Sequence, residues 1–407
     1  MGFIYSFAIS VYLFLMRFAS LFNGKARKWV EGRKGWREDL RANFSGFSDP
    51  VWVHCASLGE FEQGRPVIEK LKEKYPGRKI LVTFFSPSGY EIMKSWPVAD
   101  HIAYLPGDTV RNASDFLDIV RPGMAIIVKY EFWNNFISSV HERGIPLYLV
   151  SAIFRPGQHF FKWYGKFFTN QLAKFTRIFV QDDLSRQLLV SAGINDVIVS
   201  GDSRFDRVAQ IASEARDIPL IEKFRAGEKL FLAGSSWPGD EEIIASYINR
   251  DPGRMKWVFA PHEIDASNIK RLESLLRTTC ARYSEGEAAL HGARVLIIDN
   301  IGMLSSAYRY AAVAAVGGGF GKGIHNILEP ACWGVPVLFG PDHKKFREAV
   351  EMISLGGAFT FSSKDEFSAL LDGLIDDREF YKTSSETAGK YIRDNTGVTA
   401  KIVGGLA

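Results

Sequence analysis

The sequence predicts an α/β protein with two open, doubly wound parallel sheets. From Val51 onward, short apolar runs alternate with amphipathic stretches of helical length, as in "KILVTFF" before "GYEIMKSW". The polar stretch "SEARDIPLIEKFRAGE" interrupts this rhythm and divides the chain almost in half. The chain has 407 residues, of which 46% are hydrophobic, enough for two domains. Ligands of such folds bind at the carboxyl ends of strands, so we expect two sheets facing a central cleft.

The domain boundaries follow from this pattern. We predict an N-terminal helix over 1–22, a basic segment over 23–48, a first domain over 49–206, a linker over 207–228 and a second domain over 229–407. The predicted strands of the first domain are "VWVHCAS", "KILVTFF", "MAIIVKY", "IPLYLVSA", "RIFVQD" and the start of "VIVSGDSRFDRV". Those of the second domain are "KLFLAGSS", "KWVFAPH", "VLIID", "VAAVGGGF" and "PVLFGP".

The N-terminal stretch "MGFIYSFAISVYLFLMRFASLF" is apolar and carries one charge, Arg17. Its uninterrupted part is shorter than the roughly 20 residues of a comfortable membrane span. A cluster of cations follows and would hold the chain on the cytoplasmic, anionic-lipid side of a membrane; its members are Lys25, Arg27, Lys28, Arg33, Lys34 and Arg37. We predict a retained, membrane-associated helix. The alternative is a helix that packs on the protein itself, because Arg17 interrupts the apolar run.

Composition excludes several classes of protein. The net charge is only +4, and no stripe of interleaved cations and aromatic side chains indicates a nucleic-acid interface. The three cysteines, Cys55, Cys280 and Cys332, have no CxxC spacing, which excludes a thiolate zinc site and a disulfide framework. The sequence also lacks a metal-binding DxD motif. We therefore expect a protein of a reducing compartment without a cofactor or metal.

The second half contains a candidate nucleotide site, "AAVGGGFGKGIHNILEPACWGVPVLFGP". A strand runs into a loop rich in glycine, whose backbone can approach a bulky anion. Pro330 indicates that a helix begins nearby, and a helix start directs amides at a phosphate. Asn326 and Glu329, three residues apart, would share one face, where a carboxylate can accept both hydroxyls of a ribose. The alternative is a structural turn, but the convergence of His325, Asn326 and Glu329 favours nucleotide binding.

The first half contains a candidate catalytic carboxylate in "HCASLGEFEQG". Ser57 and Glu60 have the spacing of a capping box, which is a common structural motif. A helix start lowers the pKa of a carboxyl group, unless burial or a neighbour such as Glu131 raises it again. Because the end of the first strand would face the cleft and Gly59 would leave room for an acceptor, we favour a functional role for Glu60.

Five segments, "ASLGEFEQGRP", "YEFWNN", "SGDSRFD", "GSSWPGDEE" and "GGGFGKGIHNILEPACWGVPVLFGPDHKKFREA", occur in an order that resembles the 3-deoxy-D-manno-octulosonic acid (Kdo) transferases of lipopolysaccharide assembly. This resemblance implies a GT-B fold of two Rossmann-like domains, with the acceptor on the first and CMP-Kdo on the second. It further implies lipid IVA, a lipid A precursor, as the acceptor at the cytoplasmic face of the inner membrane. Kdo would be transferred with inversion and without a metal.

The resemblance also implies roles for individual residues. Ser57, Gly59 and Glu60 match the motif that holds the general base, and Glu131, Trp133 and Asn135 match a second motif of the acceptor domain. The residues implied to bind CMP-Kdo are Gly318, Gly319, Gly323, His325, Asn326, Glu329, Pro330, Pro261 and His262. We expect a catalytic role for Glu60 and Glu131.

The sequence departs from the family pattern at several positions. No arginine stands between Pro261 and His262, so the residue that usually contacts the phosphate or carboxylate of the sugar donor is missing at this point. The other departures are Lys129 for an acidic residue, Asn134 for proline, Ile324 for glycine and Arg204 for lysine.

Further candidates each have a structural alternative. Lys322, Arg65 and Arg204 could contact anions, Ser235 could contact a ligand or cap a helix, and the aromatic, basic segment 154–168 could meet a lipid or form a core helix. His54 is expected to be structural. The functional alternatives are a GT-B enzyme that uses a UDP-sugar and a catalytically silent nucleotide- or lipid-binding protein.

Overall fold

The structure, a computed structural model, describes residues 2–44, 46–47 and 49–406. The chain forms two compact units, Met1–Arg207 with Gly397–Ala407, and Val208–Thr396. The boundary near residue 207 agrees with the predicted end of the first domain. The predicted linker is mostly helical, however, and the last residues pack with the first unit rather than with the second.

The first unit consists of a seven-stranded sheet and its helices. Its strands are β1 (Val51–Cys55), β2 (Ile80–Phe84), β3 (His101–Tyr104), β4 (Met124–Val128), β5 (Leu147–Ala152), β6 (Arg177–Val180) and β7 (Val197–Val199). Its helices are α1 (Gly2–Ala19), α2 (Gly24–Glu31), α3 (Trp36–Phe44), α4 (Leu58–Lys74), α5 (Pro87–Met93), α6 (Val110–Val120), α7 (Asn134–Glu142), α8 (Lys166–Leu172), α9 (Asp183–Ser191) and α10 (Arg204–Glu214), which continues into the second unit.

The second unit has the same construction. Its strands are β8 (Leu230–Ser236), β9 (Lys256–Pro261), β10 (Cys280–Arg282), β11 (Val295–Ile297), β12 (Val313–Val316), β13 (Val337–Phe339) and β14 (Ala358–Thr360). Its helices are α11 (Pro219–Arg225), α12 (Pro238–Arg250), α13 (Ala266–Leu275), α14 (Leu304–Ala307), α15 (Leu328–Ala331), α16 (Arg347–Leu355), α17 (Lys364–Asp376) and α18 (Arg378–Asp394). The chain then returns to the first unit in α19 (Val398–Gly404).

Both sheets are parallel and doubly wound, as the sequence predicts. The strand order of the first is β3-β2-β1-β4-β5-β6-β7, and that of the second is β10-β11-β9-β8-β12-β13-β14. In the first sheet the order reverses direction between β1 and β4, where Val51 pairs with Met124. In the second it reverses between β8 and β12, where Val313 pairs with Phe231. The carboxyl ends of these four strands are therefore the positions at which such folds bind ligands.

The first sheet is buried on both faces because its residues alternate between two apolar cores. Trp52 points into a core with α3, α6 and α7, whereas its neighbours Val51 and Val53 point into a core with α4 and α19. The second core includes Ile402 and Val403 of α19, and Asp206 accepts a hydrogen bond from the Gly397 N–H at 2.6 Å. These contacts explain why the C-terminal segment belongs to the first unit.

Helix α1 has one packed face and one exposed apolar face. Tyr5 donates a hydrogen bond to Asp108 at 2.6 Å, and Leu13 packs on Gly107. Exposed apolar side chains lie on the rest of its surface: Ile4, Phe7, Val11, Phe14, Leu15 and Phe18. Within the residues described, no single helix is long and apolar enough to cross a membrane. The helices Ile4–Ala19 and Gly24–Glu31 pass that test only as a pair, and the pair is bent by 119°.

Candidate active site

Glu60 lies just after the carboxyl end of β1, in the first turn of α4. Its Oε2 accepts a hydrogen bond from the Ala56 N–H at 2.6 Å. Ser57 occupies the N-cap position, but its side chain makes no capping hydrogen bond to the described part of the chain. The capping-box interpretation of Ser57 and Glu60 is therefore wrong, because the carboxylate reaches one residue further back and closes the strand-to-helix turn.

Two effects raise the pKa of Glu60 above its ordinary value. The larger is burial of the side chain, and the second is the negative charge of Glu131. The Ala56 N–H, His54 and Lys129 act in the opposite direction and do not cancel the increase. Of the two directions that the sequence left open for this pKa, the structure favours the increase.

Glu131 follows β4, so the sheet order brings it to the same switch point as Glu60. Its Oε2 accepts a hydrogen bond from the Trp133 indole N–H at 2.5 Å and lies 3.6 Å from His54 Nε2. His54 is fully buried, and its Nδ1 lies 2.9 Å from the Thr83 hydroxyl oxygen. Thus His54 has the buried environment of a structural residue, but it also lies close to Glu131, which the sequence did not indicate.

Asn135 has a structural environment. It is buried, and its side-chain amide donates to the Asp108 carbonyl oxygen at 2.6 Å. Asp108 in turn accepts from the Asn135 and Phe136 N–H groups at 3.1 and 3.0 Å, at the start of α7. Asn135 therefore orders the segment that carries Glu131 and Trp133. Asp108 was missed because it lies in a loop 27 and 28 residues before these two partners.

The remaining candidates of the first unit have varied surroundings. A Cβ added to Gly59 would meet no described atom within 4 Å, in agreement with the expected space for an acceptor. Arg65 pairs with Glu69 at 2.9 Å, and Arg204 pairs with Asp202 at 2.7 Å, so both cations already have carboxylate partners. Segment 154–168 is not one helix: it contains the 3-10 turn His159–Phe161, with Phe160 buried and Trp163 exposed.

The glycine loop of the second unit follows β12 at the other switch point. Gly318 adopts a φ of 95° and donates its N–H to Asp240 Oδ2 at 3.0 Å. A Cβ on Gly317 would lie 2.2 Å from the Ser235 carbonyl oxygen. The glycines are thus required by close packing of the loop on the end of β8 as well as by any approach of a ligand.

Asp240 is a site residue that the sequence analysis missed. It stands in the first turn of α12 and accepts hydrogen bonds from the N–H groups of Gly318 and Trp237, both at 3.0 Å. Burial raises its pKa to about 6. The available signal was the first acidic residue in "GSSWPGDEE", which is Asp240. A carboxylate in the first turn of a helix commonly accepts hydrogen bonds from backbone amides.

Glu329 and Asn326 share one face, as predicted from their spacing. The Asn326 side-chain amide donates to Glu329 Oε1 at 3.1 Å, and the Ser305 hydroxyl donates to Oε2 at 2.7 Å. Ser305 lies outside the glycine-rich segment and was not predicted. The helix expected near Pro330 exists but is only the single turn α15, so the contribution of a helix start to anion binding is smaller than expected.

Three rings stack beside the glycine loop. Trp237 and His262 have ring centroids 4.6 Å apart, and His262 and His325 also lie 4.6 Å apart. Trp237 donates its indole N–H to His325 Nε2 at 3.0 Å. Burial, followed by the proximity of His262, lowers the pKa of His325 and keeps its ring neutral near pH 7. Lys322 Nζ lies 3.7 Å from the Trp237 ring centroid, so the loop places a cation at this stack.

Two further positions of the second unit complete the set of predicted residues. Helix α12 has Trp237 at its N-cap, so the capping role considered for Ser235 is wrong. Ser235 adopts a φ of 49° at an irregularity of β8. Pro261 ends β9 opposite Ser236 and leads directly into His262. The part of the chain that is described contains no group of three His, Cys, Asp or Glu side chains able to hold a metal ion.

Comparison with known proteins gives consistent matches. Residues 28–207 match the family model of 3-deoxy-D-manno-octulosonic-acid transferase (kdotransferase). The 3-deoxy-D-manno-octulosonic acid transferase of Aquifex aeolicus is 28% identical over 354 residues, covering 84% of this chain and 91% of that protein. The transferase of the same name from Haemophilus influenzae is 23% identical and covers 87% and 85%, respectively.

Solved structures support the fold alone. The UDP-GlcNAc 2-epimerase of Neisseria meningitidis has a TM-score of 0.62 at 16% identity and covers 86% of this chain and 100% of its own. The epimerase of Methanocaldococcus jannaschii has a TM-score of 0.56 at 13% identity, with coverages of 86% and 99%. Together with the sequence matches across both units, these findings show that the chain is a GT-B glycosyltransferase related to the Kdo transferases.

Proposed function

We propose that this enzyme transfers Kdo from CMP-Kdo to lipid IVA in lipopolysaccharide biosynthesis, with inversion at the transferred sugar and Glu60 as the general base. The names of the relatives support the donor sugar. The observation that carries the mechanism is the pair Glu60 and Glu131 at the switch point of the first sheet, with the pKa of Glu60 raised. A carboxylate of raised pKa is a stronger base toward an attacking hydroxyl.

The acceptor step requires one proton transfer. An acceptor hydroxyl within hydrogen-bond reach of Glu60 loses its proton to the carboxylate as its oxygen attacks the anomeric carbon of Kdo. The bond from that carbon to the CMP phosphate breaks in the same step, so direct displacement inverts the centre without a covalent enzyme intermediate. Glu131 keeps the pKa of Glu60 high and is itself held by Trp133.

The donor groups belong to the second unit. A carboxylate can accept about four hydrogen bonds, so Glu329 can bind the ribose hydroxyls while it retains Ser305 and Asn326. The glycine loop supplies backbone N–H groups for the phosphate. Lys322, which lies on the Trp237 and His262 stack, supplies the positive charge that the family pattern places as an arginine beside His262. These groups stabilise CMP as it leaves.

We also propose that the enzyme works on the cytoplasmic face of the inner membrane. The exposed phenylalanines of α1 and the cations of 23–48 are the combination that binds an anionic lipid surface. Because α1 also packs on the protein through Tyr5 and Leu13, we propose a helix that lies on the membrane rather than one that crosses it.

The test is incubation of the full chain with tetraacylated lipid IVA and either CMP-Kdo or a UDP-sugar, followed by mass spectrometry. We expect the acceptor mass to increase by one or more Kdo units with CMP-Kdo only. An increase with the UDP-sugar only would identify a different GT-B transferase. Tight CMP binding without any transfer would indicate a nucleotide-binding protein.

A further inference from the structure

A cavity of the first unit lies beside α1 and has a volume of about 430 Å³. Its walls come from α1, from the end of α2, the joining segment and the start of α3, and from the loop that follows β3 with the first turn of α6. The residues that matter to the argument are Leu13, Arg17, Trp29, Arg33 and Lys34. None of them belongs to the catalytic carboxylates or to the nucleotide site described above.

The cavity carries an excess of positive charge, since its lining holds four cations, of which Arg37 pairs with Asp115, and one carboxylate, Glu38. Arg17 and Lys34 are exposed and make no ion pair with the residues that the structure describes. Arg33 donates to the carbonyl oxygens of Leu105 and Phe85 at 2.7 and 2.8 Å, and it has no carboxylate partner there either. Burial lowers the pKa of Arg33 to about 9, so an anion in the cavity would stabilise its cation.

Trp29 adds an unsatisfied donor. Its side chain is 6% exposed, and within the described structure its indole Nε1–H has no hydrogen-bond acceptor. A buried N–H without an acceptor costs on the order of 1–3 kcal/mol. The guanidinium of Arg33 lies 3.7 Å from the Trp29 ring centroid. A donor that lacks an acceptor beside three cations that lack anions indicates a site for an anionic ligand.

The surroundings of the cavity indicate the rest of the ligand. Leu13 and Arg17 lie on α1, whose exposed face also carries Phe14 and Phe18. An anionic group in the cavity could therefore be joined to acyl chains that lie along α1. These features together fit a phosphorylated lipid.

The cavity is connected to the catalytic carboxylates through Phe85. Its ring centroid lies 5.5 Å from that of Trp29 and 4.7 Å from that of Trp133. Trp133 in turn bonds Glu131. The cavity is thus joined to Glu131 by a chain of contacts through two aromatic side chains, Phe85 and Trp133.

We propose that this cavity binds a phosphate monoester of the lipid acceptor and so positions the acceptor hydroxyl for Glu60. The proposal rests on the proposed function, because the phosphate belongs to the acceptor. Arg17 and Lys34 supply positive charge at the rim of the cavity. In its wall, Arg33 supplies a further positive charge and Trp29 supplies a hydrogen-bond donor.

The test compares the wild type with an Arg17→Ala/Lys34→Ala double variant in non-ionic detergent, with lipid IVA or phosphatase-treated lipid IVA as acceptor. Both side chains are exposed, so folding is preserved. We expect the KM for lipid IVA to rise about tenfold, with kcat and the KM for CMP-Kdo unchanged. With the dephosphorylated acceptor, the double variant and the wild type should have the same KM. A rise of equal size for both acceptors would overturn the proposal.

Arg111→Ala is the matched control, because it removes an exposed cation that is not among the residues lining the cavity. It should leave both KM values unchanged, and a rise equal to that of the double variant would overturn the proposal. Added phosphatidylglycerol or inorganic phosphate should compete weakly. Competition as strong as that of lipid IVA would show a general anion site and contradict an acceptor site.

A binding measurement separates this proposal from the proposed function. Calorimetry with the deacylated, phosphorylated head group needs no turnover. We expect binding by the wild type that the double variant loses. Such binding in an enzyme that fails to transfer Kdo would refute the proposed function and support the cavity. Kdo transfer without any dependence on the acceptor phosphates would support the function and refute the cavity.

Discussion

Glu60 illustrates how its position in the fold, rather than its motif, determines the properties of one carboxylate. The helix start and the Ala56 N–H favour the ionised form, but burial and Glu131 oppose it and dominate. The motif Ser57 to Glu60 predicts a capping box, which the structure does not contain. The sequence could show the carboxylate, but the neighbour that raises its pKa comes from β4, 71 residues later.

The pH dependence of transfer should report this neighbour. Transfer requires ionised Glu60, so kcat/KM should fall as the pH drops through the pKa of Glu60, which lies above the ordinary 4.5. Glu131→Gln removes the repulsive charge and lowers that pKa, while the amide oxygen can still accept from Trp133. We therefore expect the acid limb of the pH profile to move to lower pH in this variant. An unchanged or upward-shifted limb would contradict the account.

Glu329→Gln should weaken CMP binding. The carboxylate oxygens accept from Asn326 and Ser305, and a glutamine would turn its NH₂ group toward one of these donors. The ribose would also lose one acceptor. We expect an affinity loss of about tenfold by calorimetry, on the scale of one hydrogen bond to a charged group. The melting temperature should be close to that of the wild type, and unchanged CMP affinity would remove Glu329 from the site.

Several site residues could not be found from the sequence because their partners are distant along the chain. Ser305 lies 24 residues before Glu329, and Asp108 lies 27 residues before Asn135. Trp237 joins His262 and His325 only when β8, β9 and β12 are neighbours in the sheet. The sequence did single out Glu60, Asn326 and Glu329, because each follows a recognisable strand or lies at helical spacing, whereas Glu131 was singled out by the resemblance to the Kdo transferases.

At the level of elements, the central strands were predictable and three edge strands were not. All the predicted strands were confirmed, whereas β3, β10 and β14 were missed. These three have only three or four residues, stand at sheet edges and begin or end with polar side chains such as His101 and Arg282. An edge strand is exposed along one side, so its sequence lacks the continuous apolar run of a central parallel strand.

Helix α7 should depend on Asp108 for its stability. Three N–H groups at its start are satisfied from outside the helix: Asn134 by the Tyr5 hydroxyl, and Asn135 and Phe136 by the Asp108 carboxylate. Asp108→Ala should lower the free energy of unfolding by about 1–3 kcal/mol in urea titration. Asp108→Asn, which retains one acceptor oxygen, should lose less. Equal stability of the alanine variant and the wild type would refute this capping role.

At the level of the whole molecule, the two units are not consecutive in the chain. Length and the polar break near residue 207 predicted two domains, and the structure divides into two compact units near the same residue. The return of Gly397–Ala407 to the first unit was not predictable, because α19 is a short amphipathic helix like many others. Only the apolar surface of α4 and the sheet, including Val67 and Ile68, reveals where it packs.

The exposed face of α1 should mediate membrane binding. Phe7→Glu/Phe14→Glu should reduce co-sedimentation with phosphatidylglycerol-containing vesicles about tenfold or more, because each side chain loses favourable transfer into lipid. Both rings are exposed, so the melting temperature should not change. Ile301→Glu, at an exposed position of the second unit, is the control and should sediment like the wild type. Undiminished sedimentation of the double variant would refute the membrane role of this face.

The central claim is that Glu60 accepts the proton of the attacking hydroxyl, and the rate of Kdo transfer by Glu60→Gln tests it most directly. Glutamine retains an acceptor oxygen for the Ala56 N–H but cannot take up a proton. We predict an unchanged melting temperature and CMP affinity, with transfer reduced about 100-fold or more, the scale of a lost general base. Transfer at close to the wild-type rate would contradict the account: Glu60 would then only order the turn between β1 and α4, and Glu131 would be the next candidate for the base.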